Sequence, residues 1–191
     1  MDNARFLTVL IVIFAAGIFV VQAQTQEMPK TSPKPAPSAS EAVLEQWNEI
    51  GRKLIAMAED FPEDKYDFKP TPAVRSFFER LVHAAYANQF FTNTLLGQKL
   101  PGMDEPKRDQ FKTKADVVAF VKRSFADGAE AIKAKGDKGM SDLVLDPFSN
   151  RQTRVTDFAY GFVEHSEEIY GQLTVYYRVA GLIPPESRPK Q

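Results

Sequence analysis

The chain has 191 residues, 43% hydrophobic and 26% charged, which leaves room for one well-buried domain plus extra segments and none for a comfortable second domain. Its 24 basic and 25 acidic residues give a formal net charge of −1, with no basic cluster interleaved with aromatics, so the electrostatic footprint of a nucleic-acid binder is missing. Cysteine is absent, which excludes thiolate catalysis, disulfides and sulfur-ligated metal; any metal has to use histidine, carboxylate or water.

The first residues, MDNARFLTVLIVIFAAGIFVVQAQ, combine a short head carrying Arg5, an apolar run from Phe6 to Val21 and a small-residue exit at Val21-Gln22-Ala23. This is the pattern of an export signal over residues 1–23. An uncleaved anchor is the alternative, but at about 1.5 Å per residue the run reaches only about 24 Å, short of a ~30 Å hydrocarbon core. The expected location is therefore periplasmic or secreted, with no membrane contact once the signal is removed. Residues 24–39, QTQEMPKTSPKPAPSA, are proline-rich, almost free of apolar side chains and without a period, the composition of an extended linker.

The domain proper is expected over residues 40–191. Ser38 with Glu41 fits a capping box, and Val43, Trp47, Ile50, Leu54, Met57 and Phe61 follow at helical spacing until Phe61-Pro62 closes the helix. The lone tryptophan on that stripe reads as core. Residues 62–73, PEDKYDFKPTPA, read as a loop that Tyr66 and Phe68 pin to the core. A second helix spans about Val74 to Leu96 with a broad apolar arc through Phe77, Phe78, Leu81, Val82 and Ala85. His83 lies off the centre of that arc, grouped with Glu79, Tyr86 and Phe90 in a second, more polar seam.

After Gly97 comes a charged connection whose Lys107-Arg108 pair reads as a solvated face with no catalytic signal. The third helix opens at Thr113 with Asp116 three residues on, carries Val118, Val121, Phe125 and Ile132, and stops at Gly136. Residues 137–152 interrupt the helical pattern with a short apolar patch, Leu143 to Leu145, that fits a brief strand or a loop packed on the bundle; a loop is expected. The fourth helix, within 153–180, places Phe158, Phe162, Ile169, Leu173, Tyr176 and Ala180 on one buried face, and His165 shares it. Gly181 and Pro184-Pro185 end it, while Gly161 and Gly171 inside it are expected to mark close approaches by a neighbouring helix. Arg178 suits the negative end of the helix dipole better than an anionic ligand.

Four long helical patterns joined by irregular connections predict an all-α domain, most simply a four-helix bundle, a geometry that allows His83 on the second helix and His165 on the fourth to be neighbours without placing them within reach of one ion. A lone histidine on an apolar stripe is more often a hydrogen-bonded core residue than a metal ligand.

The segments YDFKPTP, SFFERLVHAAYANQFF and EHSEEIYGQLTVYYRVAGLIPPESRP, in this order, resemble the DinB (YfiT-like) family of four-helix bundles over roughly residues 40–188. That resemblance implies a divalent metal centre of three histidines, one on the second helix and two spaced i, i+4 on the fourth, and relatives that include metal-dependent transferases and isomerases that use low-molecular-weight thiols. Residue by residue, the ligands fall on His83, His165 and Ile169. The third is not a histidine, and the chain holds no other to replace it. A carboxylate has to substitute, with Glu168, Glu164 and Glu79 as candidates.

Three readings follow. The first is a DinB-like protein with a degenerate divalent-metal site at His83 and His165. The second is a zinc- or nickel-dependent transferase or hydrolase with a carboxylate as third ligand, in which the metal lowers the pKa of a bound water or thiol. The third is a non-catalytic bundle that binds a small-molecule ligand or pairs as a homodimer. Whether the protein is an enzyme stays open among them. No glycine-rich phosphate loop and no serine with a base partner other than these histidines supports a nucleotide-binding enzyme or a hydrolase triad.

Overall fold

The computed structural model describes residues 34–189; the expected export signal and the first part of the expected linker lie outside them. Apolar residues recurring every three or four positions wind into four helices, Ala39–Asp60 (α1), Phe77–Leu96 (α2), Lys114–Gly139 (α3) and Val155–Val179 (α4). The first three start on reciprocal capping boxes, Ser38 with Glu41, Ser76 with Glu79 and Thr113 with Asp116. The second of these moves the start of α2 from the expected Val74 to Phe77. Ser76 Oγ accepts the Glu79 N–H at 3.2 Å and Glu79 accepts the Ser76 N–H at 2.6 Å, whereas Val74 still belongs to the preceding turn. Helix α3 is broken where expected, at Gly136 with φ +55°, and one further turn reaches Gly139.

The segment 137–152, expected as a loop, ends α3 at Gly139 and then enters a β-hairpin, so the alternative of a brief strand at Leu143 to Leu145 is the one that forms. Leu143–Asp146 (β1) pairs antiparallel with Arg151–Arg154 (β2), Val144 lying opposite Thr153. The turn is closed by Asp146, whose carboxylate accepts from the Phe148 N–H at 2.9 Å and from the Ser149 hydroxyl at 2.5 Å, with Asn150 at φ +54°. Each strand has four residues, and Leu143 and Leu145 are exposed while only Val144 packs on the core. Such a strand carries no long inward alternation to detect.

Helices α1 and α2 each pack along both α3 and α4, so α1 lies diagonally from α2 and α3 from α4. The result is the predicted all-α four-helix bundle, with the hairpin as an appendage. Trp47 is fully buried, stacked on Phe91 at 4.6 Å, and donates from its indole N–H to the Phe125 carbonyl at 2.8 Å. Tyr66 pins the loop after α1 as expected, donating to the Ala58 carbonyl. The expected close approaches at Gly161 and Gly171 do not occur: nothing would lie within 4 Å of a Cβ at either. They occur at Gly51, against Phe125, and at Gly128, against Trp47. Among the described residues no helix is long and apolar enough to cross a membrane.

Candidate functional site

The seam off the main arc of α2 becomes one wall of a cavity of about 390 Å³. His83, Tyr86, Ala87 and Phe90 of α2 face Gly161, Phe162 and His165 of α4 across it. Met103 and Glu105 close it from the connection after α2, and Phe148 from the hairpin turn. The far end is aromatic: Phe148 lies 5.2 Å from Phe90 and 6.3 Å from Phe162 between ring centroids. The absence of a side chain at Gly161 leaves that stretch of α4 open to the cavity.

The polar end holds both histidines. Because α2 and α4 are neighbours, His83 and His165 meet with ring centroids 5.0 Å apart and planes at 77°. The carboxylate beside them is one the sequence reading did not select. Glu105 Oε1 sits 2.7 Å from His83 Nδ1, and Arg75 Nη1 reaches both Glu105 oxygens at 2.9 and 3.1 Å. Tyr176 of α4 donates to the Arg75 carbonyl and so anchors this chain of contacts to the bundle. The connection carrying Glu105 is clipped to α2 by Tyr86, which donates to the Gly102 carbonyl at 2.9 Å, and by Asn93, which donates to the Lys99 carbonyl at 2.7 Å. No spacing rule joins His83 to a loop residue beyond the end of its helix, so the only signal was an acidic residue between prolines in a segment read as solvated.

The carboxylates selected from sequence lie elsewhere. Glu164 and Glu168 are exposed on α4, and Glu79 is occupied in capping its own helix, where the Ser76 N–H holds its carboxyl below the usual range. Burial lowers the pKa of His165, with the positive potentials of His83 and Arg80 acting in the same direction and Glu168 and Glu105 opposing.

These donors do not fit a resident metal centre. Ile169, one turn past His165, is 2% exposed and packs in the core. Glu105 binds the imidazole of His83 rather than standing beside it as a third donor, which leaves His83 Nε2 and one nitrogen of His165. Catalytic zinc sites take three protein ligands. Among the described residues, no group of three or more histidines and carboxylates is arranged to hold an ion.

The comparisons agree with this architecture. Residues 46–173 match the model of the DinB superfamily. A DinB-like protein from Bacillus cereus ATCC 10987 is similar in structure with a TM-score of 0.63 at 19% identity, covering 76% of this chain and 95% of the other. YfiT from Bacillus subtilis, described as a probable metal-dependent hydrolase with an unusual four-helix bundle topology, gives 0.61 at 14% identity, covering 80% and 94%. A conserved protein from Enterococcus faecalis gives 0.53 at 11% identity, covering 75% and 98%. No curated protein matches the chain. With the family match running from α1 into α4 through both histidine positions, the chain belongs to the DinB superfamily.

Proposed function

We propose that this chain is an exported DinB-superfamily protein whose metal centre is degenerate and whose cavity between α2 and α4 binds a small, largely apolar ligand without metal chemistry. The observation that carries the reading is the buried Ile169 at the position of the third imidazole, beside a His83 whose Nδ1 is already taken by Glu105. A cavity with aromatic walls and a few polar groups at one end is the usual form of a small-molecule site, where the walls supply affinity and the polar atoms fix orientation. The apolar run and proline-rich linker that precede the bundle support export.

The test is zinc and nickel binding by calorimetry and elemental analysis on the chain from residue 24 onward, untagged, which retains the compact unit Ala36–Gln191. The unaltered protein is expected to bind neither ion stoichiometrically, and Ile169→His to gain zinc binding, because it adds an imidazole one turn past His165. Near-stoichiometric metal in the unaltered protein, lost in His83→Ala, His165→Ala and Glu105→Gln, would overturn this reading. It would favour a metal-dependent hydrolase with Glu105 as third ligand, the activity that the description of YfiT suggests.

A further inference from the structure

No lysine or arginine is among the residues that line the cavity. Its one carboxylate, Glu105, is already matched: Arg75, which is not part of the lining, holds both oxygens, and His83 Nδ1 takes Oε1. An anionic head group would enter without a counter-charge, and a cationic one would find the only carboxylate occupied. The charges of the lining therefore select a neutral head.

The hydrogen-bonding groups select further. A carboxylate carries no proton, so the 2.7 Å contact makes His83 Nδ1 the donor, and the neutral ring then has only a lone pair at Nε2. Arg75 fixes Glu105 and Glu105 fixes the tautomer, so this acceptor is built in. Tyr86 gives its hydroxyl proton to the Gly102 carbonyl at 2.9 Å and keeps lone pairs on its oxygen. His165 forms no hydrogen bond among the described residues, and its neutral ring has one N–H and one lone pair. The polar lining thus holds acceptors on three side chains and a donor on one.

We propose, building on the binding reading above, that the ligand is a neutral hydroxyl compound with an apolar tail, whose O–H donates to Nε2 of His83 and whose oxygen accepts from the N–H of His165. Its tail lies among Phe90, Phe148 and Phe162, in a cavity whose volume of about 390 Å³ falls within the usual range for small-molecule sites. The two imidazoles, 5.0 Å apart between centroids, serve one small head group. An ether only accepts, so it would leave Nε2 of His83 unpaired, and leaving such a group without its partner costs affinity.

The experiment is calorimetry at pH 8, about 1.5 units above the ordinary histidine pKa, on the chain from residue 24 onward. Four probes of similar length are compared: octan-1-ol, its isomer 1-methoxyheptane, octanoate and octylamine. Octan-1-ol is expected to bind at least about tenfold more tightly than each of the others; a tenfold difference corresponds to about 1.4 kcal/mol. In His83→Leu, with its fold checked by circular dichroism, the alcohol is expected to lose its advantage over the ether. A second readout needs no substitution: in isotope-labelled protein the Nε2 resonance of His83 should be that of an unprotonated nitrogen, shifting upfield with octan-1-ol and not with 1-methoxyheptane. Equal affinity for alcohol and ether, or tightest binding of octanoate or octylamine, would overturn the hydroxyl assignment and leave the binding reading standing. An advantage that survives His83→Leu, or a protonated Nε2 in the free protein, would overturn the role of His83. If none of the four binds, the binding reading itself fails.

Discussion

Gly128→Ala is the most damaging single-methyl change that the packing of α3 predicts. A Cβ at position 128 would lie 2.1, 2.7 and 2.9 Å from Cζ2, Cε2 and Cη2 of Trp47, well inside contact distance. The indole has no free direction of retreat. It is stacked on Phe91 at 4.6 Å, set edge-on to Phe125 at 5.5 Å, and tied to the Phe125 carbonyl through Nε1 at 2.8 Å. Alanine gains about 1 kcal/mol over glycine in a helix interior. Against this stand about 1–3 kcal/mol for overpacking and a further 1–3 kcal/mol if the indole swings away and leaves its N–H unpaired. The expected net loss is about 1–5 kcal/mol, which lowers the melting temperature of a domain this size by about 2–20 °C. Gly171→Ala is the control, since nothing lies within 4 Å of its added methyl, and there the helix preference should act alone and stabilise by about 0.5–1 kcal/mol. Thermal unfolding followed by circular dichroism reads both. A Gly128→Ala melting temperature within about 2 °C of the parent's would refute the close packing of α1 on α3 described above.

Phe148→Ala removes an exposed side chain that closes the cavity, so octan-1-ol binding measured by calorimetry should weaken about tenfold while stability changes by less than about 1 kcal/mol. His165 links stability to pH. Its folded-state pKa lies below the ordinary 6.5, so the unfolded chain binds more protons there, and stability present above pH 6.5 is lost as the pH falls toward the lowered value. His83 lies edge-on to this ring at 5.0 Å, and Arg80, Glu168 and Glu105 act on it electrostatically; denaturant unfolding of His165→Gln between pH 7.5 and 5.5 should show a shallower loss than the parent. Tyr177→Phe deletes a buried hydroxyl that donates to the Met57 carbonyl at 3.0 Å and lies 3.2 Å from Asp60 Oδ2, and it should cost about 1–2 kcal/mol in the same assay.

What could be read from the sequence was what is local to a helix. Ser38 with Glu41 and Thr113 with Asp116 announce helix starts because donor and acceptor are three residues apart, and Gly181 at φ +76° ends α4 because only such a residue turns there freely. His83 and His165 were placed correctly on faces, and the bundle brought them together. The features that escaped depend on which elements meet. A glycine in a helix says that something comes near, but Gly51 and Gly128 rather than Gly161 and Gly171 were the ones approached, and only the partner helix decides that. Glu105 escaped for a similar reason: its connection folds back onto α2, and no periodicity describes a loop. The apolar patch Leu143 to Leu145 left strand and loop both open because its strand is short and turns two leucines outward, and nothing local named its partner Arg151–Arg154.

The diagonal placement of α1 against α2, and of α3 against α4, governs the order in which the chain can become stable. Of the three pairs of successive helices, only α2 and α3 touch extensively, and α1 must wait for partners much further along the chain. Closing such long segments before any contact rewards them costs entropy, so a bundle wired this way condenses more slowly than one that zips up helix by helix. No half of it has a complete core: until α4 has joined, both α1 and α2 lack one of their two packing surfaces. For a chain exported as proposed, that delay is useful. A polypeptide threaded through a translocation pore must stay unfolded until its far end has crossed, and here the last helix closes the structure.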